Sequence, residues 1–207
     1  MRKYDLILFD LDGTLIDTSQ GIFHSVRYAE KKMGLPPADA EALRFFLGPP
    51  PTAMYKKIYG LDDAAAQKAT SYHREYGKAK AVYEAVPYAG IELLLKGLRE
   101  KGYRLAVATL KRQDIAEEIL ELCGLERYFH EIAGMDEGET YTKARIIERI
   151  IGQLGEKTSS LIVGDTVYDE AGAKEAGIAF LGVSYGFGFR EGEGLCACPL
   201  DIWKYIE

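Results

Sequence analysis

Asp10-Leu11-Asp12-Gly13-Thr14-Leu15 places two carboxylates two positions apart at the end of an apolar run. In extended backbone the side chains at i and i+2 face the same way, so both acids reach one region. Gly13 then allows a tight turn in which backbone amides, with Thr14 beside them, can meet an anion. Such a pair can divide a two-step displacement at phosphorus. One carboxylate attacks to form an aspartyl phosphate; the other protonates the leaving oxygen and later activates water. Two acids repel each other and an incoming phosphate. A hard divalent cation relieves this, and Mg²⁺ suits one or two carboxylates together with phosphate oxygens and water.

Gly164-Asp165-Thr166-Val167-Tyr168-Asp169 supplies further acids at the end of a second apolar run. Spaced by four, Asp165 and Asp169 share one face where the next helix begins. Asp169 reads equally well as a cap of the helix running through Ala171 to Ala176. Thr109 closes a third run and has a hydroxyl to offer a phosphate oxygen, while Lys143, in Tyr141-Thr142-Lys143-Ala144, would offset negative charge. A lone lysine opening a helix is usually solvated, and periodicity alone does not single out Lys143.

These residues need elements to carry them. Leu6 to Asp10, Leu105 to Thr109 and Leu161 to Asp165 read as buried strands of a parallel sheet, with Ile178 to Val183 a further strand and Phe129 to Ala133 a weaker one. Helical periods lie between them: Ile91, Leu94, Leu95 and Leu98; Ile115, Ile119 and Leu122, closed by Gly124; Ile146, Ile147, Ile150 and Leu154. Strands alternating with helices imply right-handed crossovers and an α/β doubly wound, Rossmann-like core. Ligands of such sheets bind beyond the carboxyl ends of the strands, where Asp10, Thr109 and Asp165 all fall.

Residues 16–86 contain no convincing strand and four weakly amphipathic helical stretches: Gly21 to Met33, Ala38 to Phe46, Ala53 to Ile58 and Ala64 to Val82. The segment is too long for an ordinary connection, so it is expected to be an inserted all-helical cap over the catalytic rim. Residues 1–15 and 87–207 would form the core, joined to the cap near Asp17 and Pro87. Gly48-Pro49-Pro50-Pro51 breaks the cap into subunits, and Gly182 to Gly194 reads as a surface loop.

Composition limits the alternatives. Hydrophobic residues make up 47% and charged residues 28% of the 207 positions, an ordinary balance for a folded soluble domain. A net charge of −6 with no Lys/Arg run argues against a nucleic-acid partner. The first apolar run is interrupted by Asp10 too early for a signal peptide, and no run approaches a membrane span, so the expected compartment is cytoplasmic. Three cysteines, Cys123, Cys196 and Cys198, are too few for a disulfide framework, and the Cys196/Cys198 pair lacks the further ligands a zinc site needs.

Across nearly its whole length the sequence resembles the haloacid dehalogenase-like superfamily, in the phosphatase branch with a helical cap between the first and second motifs. Phe9 to Leu15 matches the first motif, Val107-Ala108-Thr109 the second, Lys143 the third, and Gly164 to Asp169 with Gly172 to Gly177 the fourth. The resemblance implies that Asp10 is the nucleophile and Asp12 the general acid/base. It further implies that Thr109 and Lys143 bind phosphate, and that Asp10, the Asp12 carbonyl and Asp165 hold Mg²⁺ with Asp169 in support. Phe46-Leu47-Gly48-Pro49-Pro50 is similar to a subgroup called phosphoglycolate phosphatases or 5′-nucleotidases.

Two positions depart from the pattern. Leu110 stands on the substrate side where relatives often carry Asn or Ser, and Thr166 stands where many carry Arg. The resemblance leads to a small phosphate ester as substrate, handled by a monomer or weak homodimer. A dehalogenase needs neither Asp12 nor the metal acids, whereas a sugar-phosphate mutase or a non-catalytic phosphate-binding module is compatible with them. Specificity falls to the cap, whose His24, Arg27, Lys56, Lys57, His73 and Arg74 are mostly expected to be solvated. Arg44, just before the Gly-Pro break, is the favoured substrate contact.

Overall fold

The computed structural model describes residues 3–154, 159–190 and 195–206. The chain starts with β1 (Leu6–Phe9) and β2 (Ile16–Asp17), then helices α1 (Ser19–Met33), α2 (Ala40–Arg44), α3 (Pro51–Tyr59) and α4 (Asp63–Ala79), and β3 (Val86–Pro87). It continues through α5 (Ile91–Glu100), β4 (Arg104–Arg112), α6 (Gln113–Leu122), β5 (Glu131–Met135), α7 (Lys143–Leu154), β6 (Ser160–Gly164), α8 (Val167–Ala176), β7 (Ala179–Gly182) and α9 (Trp203–Ile206).

Five strands form one parallel sheet in the order β5-β4-β1-β6-β7. β1 is central and wholly buried, and its alternation divides the core in two. Ile7 and Phe9 pack with Leu94, Leu95 and Leu98 of α5 and Ile119 of α6 on one face. Leu6 and Leu8 meet Ile146, Ile147 and Ile150 of α7 on the other. Helices on both faces explain why the strands read as continuous apolar runs. Because β1 has β4 on one side and β6 on the other, the chain ends of these three strands open onto a single crevice.

The helical insertion has its own core of Val26, Ala29, Phe46, Tyr55, Ala66 and Ala69. Its helices start where the sequence caps them: the carboxylates of Asp39 and Asp62 accept from the amides of Ala42 and Ala65, each at 2.8 Å. Pro51 opens α3 at a position whose N–H has no helical partner, so the proline run starts a helix as well as ending the preceding segment. Buried Glu30 ties α1 to α3, accepting from the Ala38 amide at 2.7 Å and the Tyr59 hydroxyl at 2.6 Å. Both crossings into the insertion run through a two-stranded antiparallel neck, Ile16 opposite Pro87 and Asp17 opposite Val86.

Several expected bounds shift. The strand expected at Phe129 to Ala133 forms at Glu131–Met135, because residues 126–128 make a 3₁₀ turn first. The helix expected over Ala64 to Val82 stops at Ala79, and Ala81–Glu84 continues as 3₁₀. β4 runs on past Thr109 to Arg112 with a register irregularity between Ala108 and Arg112, carrying three further side chains over the rim. Tyr185 to Phe189, expected as plain surface loop, lies against the rim; Glu191 to Gly194 of the same stretch fall outside the described residues. No helix among the described residues is long and apolar enough to cross a membrane.

Candidate active site

Asp10 follows directly on β1, and its amide donates to the Val163 carbonyl at 2.9 Å, fixing the first residue past the strand against β6. Asp10 as a residue is 7% exposed. Lys143, the first residue of α7, reaches it from below. The ammonium donates to Asp10 Oδ1 at 2.7 Å and to the Ala108 carbonyl at 2.8 Å, and pairs with Asp169 Oδ1 at 2.7 Å. Gly172 of α8 makes room for this side chain, since a Cβ there would stand 2.8 Å from Lys143 Cβ. Burial by itself would push the Lys143 ammonium down; Asp10 and Asp169 outweigh it and hold the group charged, above its ordinary range.

Asp169 does both things its position offered. One oxygen completes a capping box, accepting from the Thr166 amide at 3.0 Å and hydroxyl at 2.7 Å, while the other faces Lys143. Asp165, fully buried after β6, accepts from the Thr14 hydroxyl at 3.2 Å and from the amides of Phe187 at 2.7 Å and Gly188 at 3.3 Å. The strap around Gly186 thus supports Asp165 directly. A Cβ on Gly186 would strike the Gly13 carbonyl and the Asp165 side chain.

Asp10, Asp165 and Asp169 each present an oxygen within 4.8 Å of the others. Burial pushes the Asp10 carboxyl well above the carboxylate range, Lys143 opposes this, and Asp169 and Asp165 add to it. Burial likewise moves Asp165 up to about 6, against the Phe187 amide that stabilises its charge. Three buried acids therefore face one lysine. An all-oxygen, hard, negatively charged cluster of this kind fits a Mg²⁺ ion, which would supply the missing positive charge.

Asp12, the other acid of the pair, lies apart from that cluster. Its Oδ1 accepts from the Thr18 hydroxyl at 2.5 Å, and its Oδ2 pairs with Lys111 Nζ at 2.9 Å. A small pocket lined by Asp10, Asp12, Thr109, Leu110, Lys111, Lys143 and Thr166 brings both motifs together. It shares Asp12, Leu110, Lys111 and Gly48 with a larger cavity of about 120 Å³ between the helical insertion and the core. The wall of the larger cavity includes Ile22, Phe46, Val82, Ile115 and Met135 with His73, Arg74 and Glu139. Thr109 is buried, and its Oγ1 accepts from the Lys111 amide at 3.1 Å, leaving its O–H to donate.

Three groups of residues stand differently from what the sequence leads one to expect. The turn amides of Gly13 and Thr14 are spent inside the turn, on the carbonyls of Ile16 at 2.9 Å and Leu11 at 3.3 Å. Gly13 instead supplies the backbone at φ +83°, where a side chain would hit Asp165. The Thr14 hydroxyl serves Asp165, so both residues shape the acid cluster from within and neither lines the pockets. Arg44, at the end of α2, is exposed and lines neither cavity. His73 and Arg74, expected as solvated, line the larger one. Lys111 and Arg112 carry no signal in the sequence, because the third apolar run ends at Thr109 while the strand continues to Arg112. The signal for His73 was the Ala66-Ala69-Thr70-His73-Gly77 stripe at helical spacing, which marks a packed face of α4.

Comparison with known proteins agrees with this geometry. The model of the haloacid dehalogenase-like hydrolase family matches residues 7–183. A 5′-nucleotidase from Pseudomonas aeruginosa is 37% identical over 191 residues, covering 91% of this chain and 86% of the relative. A phosphoglycolate phosphatase from Agrobacterium fabrum is 32% identical over 192 residues, with 88% and 81% covered. The tyrosine-protein kinase PtkA of Mycobacterium tuberculosis is 34% identical over 185 residues, 88% of this chain but 63% of that longer protein. Among solved structures, a haloacid dehalogenase-like hydrolase from Streptococcus pneumoniae superposes with a TM-score of 0.90 at 31% identity, covering 98% of both chains. With a matching family model over most of its length, this chain belongs to the haloacid dehalogenase-like hydrolases.

Proposed function

We propose that the protein is a Mg²⁺-dependent phosphate monoester hydrolase that works on a small phosphorylated metabolite through an aspartyl phosphate on Asp10. Phosphoglycolate-type and nucleoside 5′-monophosphate substrates are the two classes its relatives' names bring forward. The observation carrying this reading is the division of labour between the two acids. Asp10 sits in a buried cluster of charge, while Asp12 is held separately in the wall the two pockets share, where a leaving group would lie.

In this reading the phosphoryl group enters the small pocket, with the Thr109 hydroxyl donating to its oxygens and the charge of Lys143, whose three donors stay on Asp10, Asp169 and Ala108, offsetting its negative charge. A carboxylate oxygen of Asp10 attacks phosphorus, and the bond to the leaving oxygen breaks. Asp12, having taken up a proton from solvent, gives it to that oxygen. The alcohol departs, and Asp12, now a carboxylate, takes a proton from water. That water attacks the aspartyl phosphate and breaks the bond between phosphorus and Asp10, releasing phosphate and restoring both acids. Asp10, the Asp12 carbonyl and Asp165 would hold the Mg²⁺ with Asp169 in support, and the ion would supply charge neutralisation for the phosphate and the nucleophile. Thr18 and Lys111 keep Asp12 aimed between these events. Residues 16–86 act as the cap that covers the site.

The deciding measurement is Mg²⁺-dependent release of inorganic phosphate from p-nitrophenyl phosphate. Wild-type protein is expected to release it and the Asp10→Asn variant to release none. Release by the variant at a comparable rate would remove Asp10 as nucleophile. A mutase would return the phosphoryl group to a phosphorylated acceptor without net phosphate, and a tyrosine kinase would label tyrosine from a nucleotide donor. Either outcome, with no free phosphate, would displace the hydrolase reading.

A further inference from the structure

The larger cavity carries three cations, and they differ in what they have left to give. Lys111 is engaged with Asp12. Arg112 is held by Asp114 through two nitrogens, Nε donating to Oδ1 at 2.6 Å and Nη2 to Oδ2. Arg74, on α4, donates through Nη2 alone to Glu139 Oε1. Among the described residues that is its one side-chain partner, which leaves most of its five-donor fork uncommitted, and Arg74 lines a cavity that adjoins Asp10 through shared walls.

Glu139 is unusual as well. It lies in the loop between β5 and α7 at φ +54°, the one described non-glycine residue with positive φ, a conformation that L side chains avoid. From there it spans the cavity to the helical insertion, where its Oε2 accepts from the Thr52 hydroxyl at 3.1 Å while Oε1 takes Arg74. Side-chain exposures of 32% for Arg74 and 20% for Glu139 leave the pair reachable from the cavity, in contrast to Lys143. Strained backbone maintained at a ligand cavity is the kind of feature that marks a working contact.

We propose that Arg74 selects substrates whose leaving group carries its own oxyanion, and that Glu139 occupies Arg74 until such a group displaces it. The guanidinium fork matches a carboxylate or a second phosphate with two parallel N–H···O bonds, a better match than the single bond Glu139 receives. The apolar wall of Ile22, Phe46, Val82, Ile115 and Met135 would take the carbon skeleton between the two anionic ends. The proposal rests on the phosphomonoesterase reading and, within it, ranks phosphorylated acids and bisphosphates above nucleoside 5′-monophosphates, whose leaving nucleoside is uncharged.

Binding is to be measured by calorimetry on the Asp10→Asn protein with Mg²⁺ present, so the result does not depend on turnover. Phosphoglycolate ends in a carboxylate and propane-1,3-diol bisphosphate in a second phosphate; 2-hydroxyethyl phosphate and AMP have neutral leaving sides. The charged ligands are expected to bind about 10- to 100-fold tighter than 2-hydroxyethyl phosphate, the range of a charge-assisted bidentate contact. Whichever of the two binds tighter identifies the oxyanion. Adding Arg74→Met should remove most of that difference, with the neutral ligands losing far less; Arg74→Lys should restore part of it. Glu139→Gln should tighten the charged ligands severalfold by removing their competitor. Equal weakening of all four ligands by Arg74→Met, or no preference for the charged ligands, overturns the proposal. Failure of the hydrolase reading looks different: wild-type protein releases no phosphate from any ester, whatever the binding contrast.

Discussion

Lys143 is the residue on which the charge balance of the site turns. It lies between Asp10 and Asp169 with its third donor on the Ala108 carbonyl, and all three charged groups are buried. Lys143→Met leaves two buried carboxylates facing each other, which is expected to cost about 3–5 kcal/mol of stability in metal-free protein, the scale for breaking a buried pair. Mg²⁺ should recover more of that loss in the variant than it adds to wild type, because a cation binding only the folded state stabilises it by mass action. Thermal melts with and without Mg²⁺ check this; equal Mg²⁺ shifts in both proteins would show that the cation does not share this charge. Asp10→Asn, which removes one of three repelling acids, should keep a wild-type melting temperature while phosphate release falls at least about 10³-fold. Asp10, Asp12 and Asp165 could be found in the sequence because chain-end carboxylates follow apolar runs at fixed spacing. Lys143 could be named only through the family resemblance and Arg74 reads as solvated, because a single cation on a helix has the same local pattern whether it faces water or a buried acid.

At the scale of elements, the site depends on pieces that the sequence pattern undersold. The strap from Tyr185 to Phe189 reads as glycine-rich loop, yet Phe187 and Gly188 donate to the Asp165 carboxylate and the Phe189 amide donates to its carbonyl at 2.8 Å. Turn residues announce a loop; they do not announce what it packs against. Gly186→Ala would force a Cβ into the Gly13 carbonyl and Asp165, and is expected to lower stability by about 1–3 kcal/mol and to cut activity with it. Retention of both would mean that the strap can shift without disturbing Asp165. α4 gives a prediction in pH. His73 packs beside the Tyr55 hydroxyl at 3.3 Å, with Lys111 and Arg74 as nearby charges, and burial pushes its imidazole down to about 3. The folded state therefore resists a proton that the unfolded chain accepts near pH 6.5. Stability from this residue is complete above pH 6.5 and is lost as pH falls from there toward 3, at no more than about 1.4 kcal/mol per pH unit. His73→Gln should flatten the decline of melting temperature between pH 7 and pH 5; an unchanged slope would show that His73 is already solvated.

Over the whole molecule, the α/β order was legible because three buried strands announce a parallel sheet, and the insertion was legible because a long stretch without strands must fold on itself. What could not be read was how the insertion meets the core, since that contact is made by side chains brought together only in the fold. Apart from the neck, its polar links include Glu139 with Arg74 and Thr52, and the looser pair Lys78 with Asp114 at 3.8 Å on the outer edge. If the helical cap closes over substrate and opens to release product, tethering that outer edge should trap one state. Cysteines at positions 78 and 114 can be joined by a short bismaleimide, in a background where Cys123 and exposed Cys198 are serine and Cys196 stays buried. The tethered protein is expected to melt higher than the untethered one and to lose at least about tenfold in kcat, because release of alcohol and phosphate would be blocked. The same Lys78→Cys/Asp114→Cys variant left unjoined is the reference for kcat, which separates the tether from the substitutions and from the release of Arg112 by Asp114. Wild-type kcat in fully joined protein would mean that substrate and product pass without cap opening at this edge, and the cavity would then have to exchange with solvent through a different mouth.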